Sequence, residues 1–174
     1  MPEEFQMILS AFQPLIGRLA WSVCRVQGSI LTMEFGEPHV RVRGPIVASA
    51  DASEKVRRLL ARRRVFLCGE WRLPISYAFW EITTRYATVN SDEFDIGELQ
   101  DTLNEVDGQR LLSVEADAEP GSFVLIFDLG ASILIRPNAS HEDDQWTIYD
   151  QTETSKTEAV AGGIANQTSG GVDV

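Results

Sequence analysis

Apolar residues recur every three or four positions in two stretches of the chain that lie ninety-one residues apart, and each stretch runs into a glycine. The first is Phe5, Ile8, Phe12, Leu15 and Gly17, and the second is Ile96, Leu99, Leu103, Val106 and Gly108. The spacing predicts an amphipathic helix over about residues 3–13, led in by Pro2, Glu3 and Glu4 and ended by Pro14 and Gly17. It predicts a second helix that starts at Ser91-Asp92-Glu93, buries Ile96, Leu99, Leu103 and Val106, and stops at Asp107-Gly108. The match needs no gap, and it points to an internal duplication.

After each helix the period changes from 3.6 to 2, the signature of strands with one buried face. In the first half, residues 18–26, 30–35 and 39–43 read as a three-stranded meander, with Leu31, Met33 and Phe35 alternating with Thr32 and Glu34. In the second half, residues 111–116, 123–129 and 132–136 read the same way. Setting Leu31, Met33, Phe35 and Gly36 on Leu125, Phe127, Leu129 and Gly130 requires a spacing of ninety-four, hence three extra residues in the second copy. The first copy then gains an inserted helix, 51–64, with Val56, Leu59 and Leu60 on one face and Arg57, Arg58 and Arg62 on the other. Strands at 65–71 and 75–84 follow it, and Trp80-Glu81-Ile82 corresponds to Trp146-Thr147-Ile148. The expected fold is α+β, two similar helix-plus-antiparallel-meander lobes at residues 1–90 and 91–150. Residues 151–174, mostly Thr, Ser, Glu, Ala, Gly and Asn, are expected to form a mobile tail with at most one early strand.

A chain of 174 residues can bury a core without metal or disulfide staples. Its longest apolar runs, 123–127 and 133–135, fall far short of the roughly 20 residues of a membrane span. The acidic amino terminus does not suit a secretory signal, so a cytoplasmic protein with no membrane partner is expected. Cys24 and Cys68 lack any CxxC spacing and read as free thiols.

Charge changes the picture more. Residues 1–90 carry 12 basic and 8 acidic side chains, whereas residues 91–174 carry 3 and 18. The net charge of −11 opposes nucleic acid, despite the cluster Lys55, Arg57, Arg58, Arg62, Arg63 and Arg64. It favours a basic protein partner for the second half, or a homodimer in which the basic helix docks on the acidic half.

Catalytic patterns are absent from the sequence: there is no GxSxG, P-loop or dinucleotide-binding glycine pattern, and His39 and His141 are the only imidazoles. The sharpest polar cluster, His141-Glu142-Asp143-Asp144 with Asp117 or Glu119 nearby, lacks EF-hand and HExxH spacing and reads as a charged surface, with no metal or cofactor expected. Asp117, Glu119, Glu142, Asp143 and Asp144 are therefore the candidate partner-binding residues. The competing reading is a small-ligand binder or enzyme with a pocket between the halves, walled by Trp71, Tyr77 and Arg136.

The runs Gly108-Gln109-Arg110-Leu111-Leu112, Phe127-Asp128-Leu129-Gly130, Ile133-Leu134-Ile135-Arg136-Pro137 and Trp146-Thr147-Ile148, with Gly69-Glu70-Trp71 and Trp80-Glu81-Ile82-Thr83, resemble a family of small bacterial proteins. The family has no established activity, and the likeness, over about residues 3–150, implies scaffold motifs and no functional residue. Immunity proteins of toxin systems are likewise small and acidic, which is analogy alone. The function expected is that of a non-enzymatic, cytoplasmic binding or accessory protein of that kind.

Overall fold

The computed structural model describes residues 3–152 and 158–162. The first helix, α1 (Glu3–Phe12), buries Ile8 and Phe12 and continues into a 3-10 turn, Gln13–Leu15, whose Leu15 is also buried. The strands β1 (Ala20–Arg25), β2 (Leu31–Phe35) and β3 (His39–Arg43) follow. Next come α2 (Glu54–Leu60), β4 (Arg64–Cys68), β5 (Trp71–Ile75), β6 (Phe79–Thr83) and β7 (Thr88–Asn90). The second half contributes α3 (Ile96–Val106), β8 (Leu111–Ala116), β9 (Phe123–Phe127), β10 (Ser132–Arg136), β11 (Trp146–Asp150) and β12 (Glu158–Gly162). This is an α+β fold of mainly antiparallel sheet.

The strands form two five-stranded sheets, ordered β1-β2-β5-β11-β12 and β8-β9-β10-β6-β7, and a separate β3-β4 ribbon. The sheets cross the boundary between the sequence halves. Having built three strands of its own sheet, each half sends its next strands into the other: β6 joins β10, and β11 joins β5. The helices cross too, since α1 packs on β8 while α3 packs on β1 and β7.

Registers agree across the two sheets, except that β1 and β8 bulge at different residues. Leu31 pairs with Ile75 and Ile75 with Trp146, just as Phe123 pairs with Ile135 and Ile135 with Trp80. All six side chains are buried. At the junction, Gly17 N donates to Leu111 O (2.7 Å) and Gly108 N to Ala20 O (2.8 Å). Ala20 N donates to Gln109 O (2.8 Å) and Leu111 N to Arg18 O (3.1 Å), with Leu19 bridged to Arg110 between them. Each bond repeats its fellow at the ninety-one-residue spacing. What matches is hydrogen bonding and strand order, a separate matter from ancestry.

The structure revises several local expectations. Leu129 is 61% exposed in the β9–β10 turn, and the residues that match Leu31, Met33 and Phe35 are Phe123, Leu125 and Phe127. Gly36 is then matched by Asp128: Gly36 N donates to Leu19 O as Asp128 N donates to Arg110 O, both at 3.0 Å. A slip of two leaves every side chain on its own face, so alternation alone cannot detect it. The β3 strand does not complete a meander but pairs with β4 alone, and β5 takes the third place. The single strand expected at 75–84 is broken into β5 and β6 by a turn at Tyr77. Asp95 caps α3, accepting from Gly97 N (2.9 Å) and Glu98 N (3.0 Å), because Ser91 is bonded to Trp80 on β6. Ile96, at the start of that helix, is 69% exposed. The inserted helix is shorter than expected and buries none of its residues. Of the expected tail, β12 pairs with β11, and residues 153–157 and 163–174 lie outside the described residues.

Gly17 and Gly108 adopt φ of +79° and +91°, and a β-carbon at either would meet no atom within 4 Å. Substitution there strains only the backbone. Gly17→Ala and Gly108→Ala should each cost about 1–2 kcal/mol, read as a lower urea midpoint at unchanged slope. A cost near zero would show that the junction tolerates another conformation.

Candidate functional site

One buried polar side chain shapes the surface around Tyr77 and His141. Gln145 is fully buried just before β11; its Oε1 accepts from Asn138 N (2.5 Å), and its Nε2 donates to Asn138 O (2.8 Å) and His141 O (3.3 Å). Its own carbonyl accepts Ser76 N (2.8 Å) from the β5–β6 connection. One glutamine thus fastens the 138–141 loop and the turn that carries Tyr77 to each other. In that turn Ala78 N donates to Ser76 O (2.7 Å) and Tyr77 has φ +60°, the positive-φ γ-turn that a non-glycine residue seldom adopts. Tyr77 is 48% exposed, and its ring stacks on His141 with centroids 4.7 Å apart.

The stacked pair stands at a cleft of about 500 Å³, open to solvent and lined from both halves of the chain. Ser29, Tyr77 and Phe79 come from the first half; Asp92, Glu119, Arg136, Asn138 and His141 come from the second. At the end of β10, Arg136 lies over the Phe79 ring at 5.8 Å, with its Nε 3.4 Å from Asp117 and 3.8 Å from Glu119. Those carboxylates already balance the arginine, and Asp92 adds a further negative charge. Glu142, Asp143 and Asp144 continue from His141 along the exposed loop.

The structure places Glu119, Tyr77 and Arg136 on this cleft and Asp117 beside Arg136, whereas Glu142, Asp143 and Asp144 are exposed in the loop that follows His141. Trp71 is elsewhere, beside an apolar groove of about 330 Å³ with Pro14 and Ile148. Tyr77 lies in a turn and not on a strand. Sequence reasoning missed Gln145 and the pairing of Tyr77 with His141. Its only available signal was a glutamine in an acidic loop immediately before the buried Trp146. Among the described residues no group of three or more His, Cys, Asp or Glu is gathered to hold a metal ion. No helix among them is long and apolar enough to cross a membrane.

His39 is the cross-strand partner of Cys68, yet this pair is not an activated thiol. Burial, and then the negative charge of Glu34, push the Cys68 thiol up, the reverse of what a nucleophilic cysteine needs.

The third surface is an arm. From Val40 to Leu67 no residue is buried, and β3 and β4 pair only with one another. Cross-strand pairs Val40–Leu67 and Val42–Val65 place four apolar side chains on one face of the ribbon, 55–67% exposed. Its base is clamped: Gly69 N donates to Glu34 (2.9 Å), Glu37 N to Glu70 (3.2 Å), and Arg18 pairs with Glu70 at 2.7 Å.

No protein-family model, curated protein or solved structure matches this chain.

The turn at Tyr77 holds strain for a ring that is half in solvent. Tyr77→Gly should raise stability by about 1 kcal/mol in urea unfolding, and a loss would show that the His141 stack outweighs the strain. A raised Cys68 pKa stabilises the fold while the thiol is protonated. That contribution is full below the ordinary thiol value of about 8.5 and is lost as pH climbs toward the folded value. Cys68→Ala should flatten the fall in stability on the alkaline side, measured as urea midpoints across that pH range.

Proposed function

We propose that this chain is a cytoplasmic binding protein, accessory or immunity-like in role, that seats a basic segment of a partner protein in the Tyr77–His141 cleft. The observation that carries the reading is a cleft with two carboxylates, Asp92 and Glu119, beside the stacked Tyr77–His141 pair, whose tyrosine is half-exposed in a strained turn. Strain at a surface tyrosine does nothing for the core, and functional surfaces are where such conformations persist. A guanidinium or ammonium group reaching the cleft would find the face of Tyr77 and the carboxylates of Asp92 and Glu119. Arg136 is already paired and does not repel it. Glu142, Asp143 and Asp144, with the net charge of −15 over residues 91–174, would steer the partner inward and contribute less to affinity.

A second reading rests on size. The volume of about 500 Å³ falls in the range of small-molecule sites, about 300–1,000 Å³, and the same rings and carboxylates would suit a small organic cation.

Calorimetric titration with a short arginine- and lysine-rich peptide, an acidic peptide of equal length, and arginine amide separates these cases. The basic peptide should bind and the acidic one should not. Tyr77→Ala should weaken binding on the order of tenfold, in line with a partly desolvated cation–π contact. Equal binding to Tyr77→Ala would reduce the effect to general attraction and defeat the cleft reading, while tight binding of arginine amide alone would favour the small-ligand reading.

A further inference from the structure

The β3–α2–β4 arm is an insertion between β2 and β5, at the position where the other half closes β9 to β10 with the short turn at Asp128–Ala131. Apart from Cys68 at its base it buries none of its residues. A two-stranded ribbon is marginal in water by itself, and this one leaves Val40, Val42, Val65 and Leu67 open on one face while α2 exposes Val56 and Leu59. The arm also has a charge opposite to its own body. Residues 39–68 hold 8 basic and 2 acidic side chains, +6, which leaves −17 on the remainder of the chain.

We propose that the arm is a self-association element: in solution it lies on the acidic body of a second copy of this chain, giving a reciprocal dimer. Complementary charge selects that occupant. The body offers a strongly negative surface, equal in concentration to the arm by construction, whereas face-to-face contact between two arms would set +6 against +6. A closed two-fold exchange makes both contacts at once, and each would cover an apolar ribbon face that the monomer leaves wet. The clamp at Glu34 and Glu70 fixes the base of the arm, so less freedom is lost when the arm docks. This inference does not depend on what the Tyr77 cleft binds.

Sedimentation equilibrium on the full chain tests it, over a concentration series reaching about 1 mM, the weak end of specific association. Mass should approach twice the monomer's 19.3 kDa at about 0.01 M salt. It should return to the monomer value at about 1 M salt, where the screening length falls to about 3 Å. Val42→Asn and Leu67→Asn remove the apolar contact without altering charge, and Arg57→Glu/Arg58→Glu/Arg62→Glu reverses the charge of α2. Each should yield a monomer at low salt and should melt at the wild-type temperature at about 1 M salt, where both chains are monomers, since none of these side chains is buried. Two different apolar variants guard against a failure of folding in one. A monomer under every condition would overturn the proposal. So would a dimer indifferent to salt, or one that survives the apolar or charge-reversal variants, since it would be built on another surface.

Discussion

Four backbone hydrogen bonds between residues 17–20 and 108–111 decide how everything else in this molecule is placed. They are made between the two segments that leave the helices, and both segments need a glycine in the left-handed region to turn into position. Because the bonds are reciprocal, each helix is delivered to the strands of the other half, and later strands return to complete the opposite sheet. Neither half holds a finished core: Phe12 of α1 sits 5.3 Å from Phe123 of β9 and 5.3 Å from Trp146 of β11. Such a fold lives or fails as a unit. Its stabilising contacts join residues far apart in sequence, which is the condition for slow folding by loop-closure entropy.

That exchange also explains what the sequence made legible. The helix stripes other than Ile96, the two glycines and the alternating strands β2, β8, β9 and β10 depend on local periodicity and could be read directly. The matching of Trp80 with Trp146 could be read as well, since both sit where a strand crosses to the other sheet against a buried isoleucine. Partner choice between strands left no such trace. The pattern His39–Arg43 looks like any half-buried strand, and only the distant arrival of β5 beside β2 displaces it from the sheet. The two-residue slip at Leu129 has the same origin, because a period of two fixes the face and leaves the position along the strand open.

The cleft was half legible. Glu119 and Arg136 stood out by charge, and Tyr77 as a candidate wall of a pocket. Their convergence required Gln145, whose side chain carries no pattern and acts by bonding to main chain in a loop. A polar residue that organises a site from inside resembles, in sequence, any loop residue. The burial of its amide, with every bond satisfied by backbone, distinguishes it, and that is a property of the folded chain.

The halves depart from common connectivity at one place. Both join their second and third sheet strands, one by a few residues and the other by an arm of about thirty. Scaffolds tolerate insertion at hairpin turns because loop closure grows slowly with length and little of the core is touched. An insertion kept for stability would bury its apolar groups, and this one buries nothing from Val40 to Leu67. Its valines, leucines and arginines cost exposure to the free monomer. In the proposed dimer, that apolar face and surplus of positive charge would meet the acidic body of a second copy, which carries −17 against the arm's +6.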